Sequence, residues 1–218
     1  MPGLFSQTLS FQSAAMKTLK MLSSLALGAV ALMGVQTAWA QADEARAKKI
    51  AGGSCFLCHG AEGESTSEIF PKLAGQNAEY IAKQLAAFKS GQRKSSAMAD
   101  MVAKLTPEEM LALGKYYEKF PNNPHMSKDA QIVPVGQYIY YNGNPYSGVP
   151  ACVACHGAAA QGAANLPRLA GQIPGYIHTQ LKQFNKRERT NDNAVMHTVA
   201  EKMTELEMAA VAEYVSTK

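Results

Sequence analysis

Between residues 77 and 89 the apolar side chains Tyr80, Ile81, Leu85 and Phe88 recur three, four and seven or eight positions apart, the spacing of one face of a helix. The same spacing returns at Tyr176, Ile177, Leu181 and Phe184. Two further helices are predicted at Met110 to Phe120 and Met208 to Val215. Each is opened by a capping box, Thr106-Pro107-Glu108-Glu109 in one and Thr204-Glu205-Leu206-Glu207 in the other, with Pro at N1 in the first. No stretch shows sustained strand alternation, so the chain reads as all-α. "FPNNPHMSKDAQIVP", residues 120 to 134, interrupts the periodicity with turn formers and reads as a linker. The apolar run from Met21 to Val35 has a different character: about 15 residues, short of the roughly 20 that span a bilayer. A basic Met16-Lys17-Thr18-Leu19-Lys20 stretch precedes it and Ala38-Trp39-Ala40 follows, the layout of an export signal cleaved before Gln41. All that such a signal requires lies after Met16, which makes Met16 a second candidate start.

The pattern is written twice. "FPKLAGQNAEYIAKQLAAF" at 70 to 88 returns as "LPRLAGQIPGYIHTQLKQF" at 166 to 184, pairing Pro71 with Pro167, Gln76 with Gln172, Tyr80 with Tyr176 and Phe88 with Phe184. The predicted layout is a signal over 1–40, an N-terminal domain over 41–120, a linker over 121–134 and a C-terminal domain over 135–218. One asymmetry breaks the repeat: "NGNPYSGVPA" before the second cysteine motif is longer than anything before the first. Units of about 80 to 90 residues are marginal on a protein core alone, which points to a large ligand within each.

Charge changes little. Removing Lys17 and Lys20 from 21 basic residues leaves 19 against 17 acids, a balance of +2 that does not point to nucleic acid. The cysteines change the picture. All four lie in two C-x-x-C-H motifs, Cys55-Cys58-His59 and Cys152-Cys155-His156. On one helical turn these positions share a face, so two thiols can add to the vinyl groups of one porphyrin while the imidazole reaches its iron. A thioredoxin-like pair needs a βαβ unit, which the pattern lacks, and a zinc ribbon needs a gap of about 15 to 20 residues between its pairs. Two covalently attached c-type haems are expected, with the cysteines as attachment points and His59 and His156 as iron ligands.

A sixth ligand decides between catalysis and electron transfer. Met98 and Met196 each precede the capping threonine by eight residues, in what reads as a loop before a helix. They are the expected axial ligands, a thioether being suited to haem iron. Met101 falls opposite Val199, Leu105 opposite Met203, and Met110 opposite Met208, so these alternatives read as core. His125, His178 and His197 read as solvated or hydrogen-bonded side chains. With both axial positions filled, outer-sphere electron transfer at positive potential remains, and no catalytic residue is expected.

The two C-x-x-C-H sites, the doubled P-[KR]-L-A-G-Q block, "RTND" at 189 to 192 and the late Met in each half resemble the cytochrome c4 family over essentially all of residues 41 to 218. That resemblance implies two tandem class I cytochrome c domains about a pseudo-twofold axis, with haem propionate edges facing across the interface. It also implies a periplasmic monomer that carries electrons from a respiratory donor complex to terminal oxidases, with loose peripheral membrane association left open. In class I cytochromes a proline at the position of Pro71 or Pro167 offers its carbonyl to the ligand imidazole, which predicts a contact within about 3.5 Å. Arg93 and Arg189 are candidates to hold the propionates. Glu62, Glu64 and Glu68 after the first motif, an uncharged stretch after the second, and Lys182, Lys186, Arg187 and Arg189 beyond it suggest two ends that dock different partners. Two other classes stand beside the carrier: the cytochrome subunit of a larger enzyme, such as a flavoprotein sulfide dehydrogenase, and a di-haem peroxidase, which would need one displaceable ligand.

Overall fold

Helix α1 runs through residues 43–59 of the computed structural model, which describes residues 43–218; the stretch read as an export signal lies outside the described residues. Its hydrogen bonding widens to a π-helix over Ala51–Cys55 and returns to α over Phe56–His59. Gly52 and Gly53 sit inside the widened turn, where low helix preference makes the distortion cheap. Gly60, at φ 83°, then ends the helix in a conformation that a side chain would oppose.

The first half continues with α2 (Ala78–Lys89), α3 (Ser96–Val102) and α4 (Pro107–Glu118). The second comprises α5 (Val133–Asn142), α6 (Val153–His156), α7 (Pro174–Asn185), α8 (Val195–Ala200) and α9 (Glu205–Ser216). Among the described residues there is no strand, only the isolated bridges Asn144 with Val149 and Ala163 with Leu166. Both capping boxes are closed. Glu109 N donates to Thr106 Oγ1 at 3.2 Å and Thr106 N to Glu109 Oε2 at 3.0 Å. In the copy, Glu207 N donates to Thr204 Oγ1 at 3.2 Å and Thr204 N to Glu207 Oε2 at 2.8 Å.

Each half has its own core. Ala47, Ala51, Ile81, Val102, Leu113 and Tyr117 anchor the first, while Ile139, Tyr140, Ile177, Leu181, Val211 and Val215 anchor the second. Leu105, Met203, Met110 and Met208 are buried as the repeat predicts. Met101 corrects the expectation: it is 48% exposed, because α3 is a short surface helix whose Val102 alone is fully buried. The asymmetry before the second motif is also accounted for. The first half reaches its cysteines along one continuous helix, whereas Gly143 (φ 68°) ends α5 and ten residues of turn precede α6.

The doubled block proves to be an interface motif. Lys72 N donates to Gln172 Oε1 at 2.9 Å, and Gln172 Nε2 donates back to the Lys72 carbonyl at 3.0 Å. At the equivalent positions, Arg168 N donates to Gln76 Oε1 at 2.8 Å and Gln76 Nε2 to the Arg168 carbonyl at 2.9 Å. Each carboxamide thus completes the backbone of the other half, a reciprocity that a pseudo-twofold axis requires. The connecting segment closes over the same seam, with Asn122 Nδ2 donating to the Ala170 carbonyl at 2.9 Å and His125 N to the Ser216 carbonyl at 2.8 Å.

Gln172→Leu leaves the buried N–H and C=O of Lys72 without partners, at about 1–3 kcal/mol each. Urea unfolding should register this loss, and the Lys72 amide should exchange faster in the variant. An unaltered midpoint and unaltered exchange would show that the clasp contributes nothing.

Candidate haem sites

The imidazoles are set from behind. Nδ1 of His59 lies 2.8 Å from the Pro71 carbonyl, and Nδ1 of His156 lies 3.1 Å from that of Pro167, both inside the predicted limit. A carbonyl only accepts, so the proton sits on Nδ1 and the lone pair on Nε2. Burial, opposed by the proline hydrogen bond, holds both rings below the usual histidine range, so they are neutral at pH 7. Among the described residues no hydrogen bond engages either Nε2. A buried, neutral, oriented imidazole with its free nitrogen unspent is what a metal ligand needs.

Helix geometry places the thiols. Cys55 and Cys152 are half-buried against the two cores, and Cys58 and Cys155 are exposed one turn on. Burial pushes the Cys152 thiol up to about 11, and the Cys55 thiol also rises. These are not the acidified thiols of a redox-active pair. Met98 packs on the same core as Cys55, and Met196 on the same core as Cys152. Both methionines lie in the first turn of short helices, α3 and α8, and not in the loops before them as expected. Ser95 caps α3, its Oγ accepting from Met98 N at 3.3 Å, and Asp192 Oδ2 accepts from His197 N at 3.1 Å beside Met196. Each half thus carries two thiols, one lone-pair imidazole and one thioether, groups that suit a haem.

The remaining histidines are otherwise engaged or remote. His197 Nδ1 donates to the Phe184 carbonyl at 2.9 Å, and His178 Nε2 lies 3.0 Å from Glu205 Oε1. His125 sits in the connecting segment with Nε2 buried and unpartnered, and burial lowers its pKa.

Sequence reasoning passed over four interface residues. Gln84 and Gln180 bridge the two candidate propionate-holding arginines: Gln84 Oε1 accepts from Arg93 Nη1 and Arg189 Nη2, both at 2.9 Å. Gln180 Oε1 accepts from Arg93 Nη2 at 2.9 Å and Arg189 Nη1 at 2.7 Å. Tyr176 Oη accepts from Arg93 at 2.8 Å, and Tyr80 Oη from Arg189 at 3.0 Å. Burial raises the Tyr80 pKa, but the two guanidiniums beside it outweigh that and hold the phenol below its usual range. Two guanidiniums share neutral acceptors, and neither forms a salt bridge among the described residues. Such a cationic seam suits a group that carries carboxylates. The sequence did hold a signal: a glutamine kept identical in both copies on the buried side of an amphipathic helix.

The family model for cytochrome c matches residues 44–139 and 136–218. Cytochrome c4 of Thiocapsa roseopersicina is 42% identical over 178 residues, covering 80% of this chain and 90% of that protein. The thiosulfate dehydrogenase electron acceptor of Thiomonas intermedia is 35% identical over 170 residues, covering 76% of this chain and 78% of its own. The crystal structure of reduced recombinant cytochrome c4 from Pseudomonas stutzeri superposes with a TM-score of 0.74 at 31% identity, over 80% of this chain and 97% of that one. Matching donor sets on a duplicated helical fold, with relatives aligned across both halves, leave one conclusion: the chain belongs to the cytochrome c4 family, electron carriers and not enzymes, built of two class I cytochrome c domains that each bind one covalent c-type haem.

Proposed function

We propose that this carrier works in the periplasm, between a respiratory donor complex and a terminal oxidase, with both irons held between nitrogen and sulfur. In this reading Cys55, Cys58, His59 and Met98 would hold one haem, and Cys152, Cys155, His156 and Met196 the other. The haem iron supplies a one-electron couple. The chain's own work is to keep the imidazole proton on Nδ1, donated to the proline carbonyl, and to keep a thioether within reach of the remaining position. A filled coordination sphere leaves electron transfer without atom transfer, and thioether ligation favours the reduced state. The observation that carries this reading is the pairing, in each half, of a neutral imidazole whose Nε2 is free with a methionine on the same core as the attachment cysteine. A spectroelectrochemical titration of the haem-loaded protein is expected to count two haems at positive potentials, each with a methionine-to-ferric-iron band. A band accounting for one haem alone would move the reading toward a peroxidase.

A second reading has specific support, since relatives of comparable identity are named electron acceptors of thiosulfate dehydrogenase. Here the chain serves a periplasmic dehydrogenase as its partner or subunit. Co-purification of a dehydrogenase chain with the native protein distinguishes this role from that of a free carrier. No described helix is long and apolar enough to cross a membrane.

The acidic rim is smaller than the sequence suggests. Glu68 pairs with Lys128 of the connecting segment, and Lys182 with Glu205, so neither is a free docking charge. Glu62 and Glu64 remain exposed beside the half-exposed Phe56 and the exposed Leu57. With a basic redox partner, Glu62→Gln/Glu64→Gln should slow association several-fold at low salt and flatten its ionic-strength dependence. Glu68→Gln should do neither; equal effects from all three would favour a diffuse field over a local rim.

A further inference from the structure

The segments that lead into the two methionine-bearing helices are each anchored in the opposite half. Arg189 begins the segment leading to Met196, and its backbone N–H closes the end of α7 on the Gln183 carbonyl at 3.1 Å. Its guanidinium stacks over Phe184 of its own half at 4.5 Å from the ring centroid. From Nη2 its hydrogen bonds run the other way, to Tyr80 Oη and Gln84 Oε1 of α2, while Nη1 donates to Gln180 and Nε to Asn191 Oδ1 of its own half. Asn191 adds a second tether, donating from Nδ2 to Gln84 Oε1 at 2.9 Å.

The first half has the mirror arrangement in lighter form. Arg93 stacks on Phe88 at 4.6 Å, donates to Tyr176 and Gln180 of α7, and donates from Nη1 to Gln84 of its own half at 2.9 Å, with no second crossed tether like that of Asn191 among the described residues. The second loop needs the extra tether. It is two residues longer between its Arg and its Met, and Asn193 and Ala194 stand consecutively at φ 53° and 65°, where side chains are disfavoured. Its outer side borders an open polar cleft lined by Lys83, Gln92, Thr190, Asn191 and Asn193, so apolar packing does not hold it. A backbone in that region persists only where its surroundings determine it; Asp192 of the same half accepts from Ala194 N at 3.3 Å and His197 N at 3.1 Å, and Tyr80 and Gln84 of the other half hold Arg189 and Asn191.

We propose that Tyr80 and Gln84 of the first half are positioning residues for Met196 of the second, and Tyr176 and Gln180 for Met98, so that methionine ligation in each half depends on the presence of its partner half. The inference rests on the reading of Met98 and Met196 as iron ligands. Crossed anchoring makes the two sites mutually dependent without any contact between a tyrosine and the methionine it supports.

Tyr80→Phe and Tyr176→Phe remove the purely crossed contacts, and each is tested on haem-loaded protein in a background that isolates one methionine. In Met98→His the remaining methionine-to-ferric-iron band belongs to the second half; in Met196→His it belongs to the first. Adding Tyr80→Phe to Met98→His is expected to weaken the remaining band and to raise the cyanide affinity of that haem about 5- to 10-fold, tenfold being about 1.4 kcal/mol of easier methionine displacement. Amide exchange across residues 190–198 should quicken in the same protein. Tyr176→Phe in the Met196→His background should act likewise, by a similar or smaller factor. Asn191→Ala, at the edge of the network, supplies a milder variant with the same direction and a smaller change. An effect of Tyr80→Phe confined to the first-half haem, or none on either, overturns the proposal. If instead Met98→His or Met196→His leaves the parent band at full intensity, it is the ligand reading that fails.

Discussion

Met98→Ala, in haem-loaded protein, is expected to open the first-half iron and leave the second untouched. With the thioether gone, the ferric form should turn high-spin, its methionine band should fall by half, and its potential should drop on the order of 100 mV within the roughly 0.8 V that axial ligands command. Cyanide should bind about 100-fold more tightly at that site, since roughly 2.8 kcal/mol of ligand displacement is no longer required. The one neighbour able to substitute is Met101, a turn later on α3 and half exposed. A variant that stays low-spin with two methionine bands would assign ligation to Met101, and Met98→Ala/Met101→Leu would then open the site. The second half has no such reserve, because the residue opposite Met101 is Val199. Met196→Ala should therefore open fully on its own.

Gly136→Ala should be strongly destabilising, although it adds only one methyl to a helix. Gly136 lies where α5 crosses α9, and a Cβ there would sit 1.9 Å from the Ala210 carbonyl oxygen and 2.8 Å from Tyr214 Cβ. Gly114 meets α2 in the same manner, 2.2 Å from the Ala78 carbonyl oxygen. Helix preference favours Ala over Gly by about 1 kcal/mol, so the outcome turns on magnitude. Backbone cannot yield as a side-chain tip can; the helices must separate, opening contacts around Ile139 and Tyr214. Overpacking of this kind costs about 3 kcal/mol or more, enough to outweigh the propensity gain and lower Tm by roughly 10 °C. Gly91→Ala supplies the comparison. Its φ of 76° disfavours a side chain, but no atom stands within 4 Å, so the cost is about 1 kcal/mol. Equal losses at Gly136 and Gly91 would show that the helix crossing relaxes easily.

Much of the site was legible because its signals are local. The C-x-x-C-H turns, the capping boxes at Thr106 and Thr204 and the apolar faces of α2 and α7 depend on neighbours within four residues. Such neighbours are brought together by any helix, whatever the rest of the chain does. The repeat extended this reach. It separated Met98 and Met196 from Met101, Met110, Met203 and Met208 by register alone, and it matched Gln76 to Gln172 without reference to any contact.

Register could not say what those matched residues touch. The Lys72–Gln172 clasp joins residues 100 apart in sequence, and the Arg189 bonds to Tyr80 and Gln84 span 109 and 105. Pairings at such separations exist only once two folded halves have docked. The same docking took Glu68 out of the acidic rim, and the crossing of α5 on α9 turned Gly136 from a weak helix former into a required gap. By itself, then, the sequence determined helices α2, α4, α7 and α9, the capping boxes of α4 and α9, the attachment turns and the expected donors, all products of short-range geometry repeated twice. Tertiary structure alone decided how one half completes the other, because hydrogen bonds and steric limits between distant segments follow from where rigid helices come to rest.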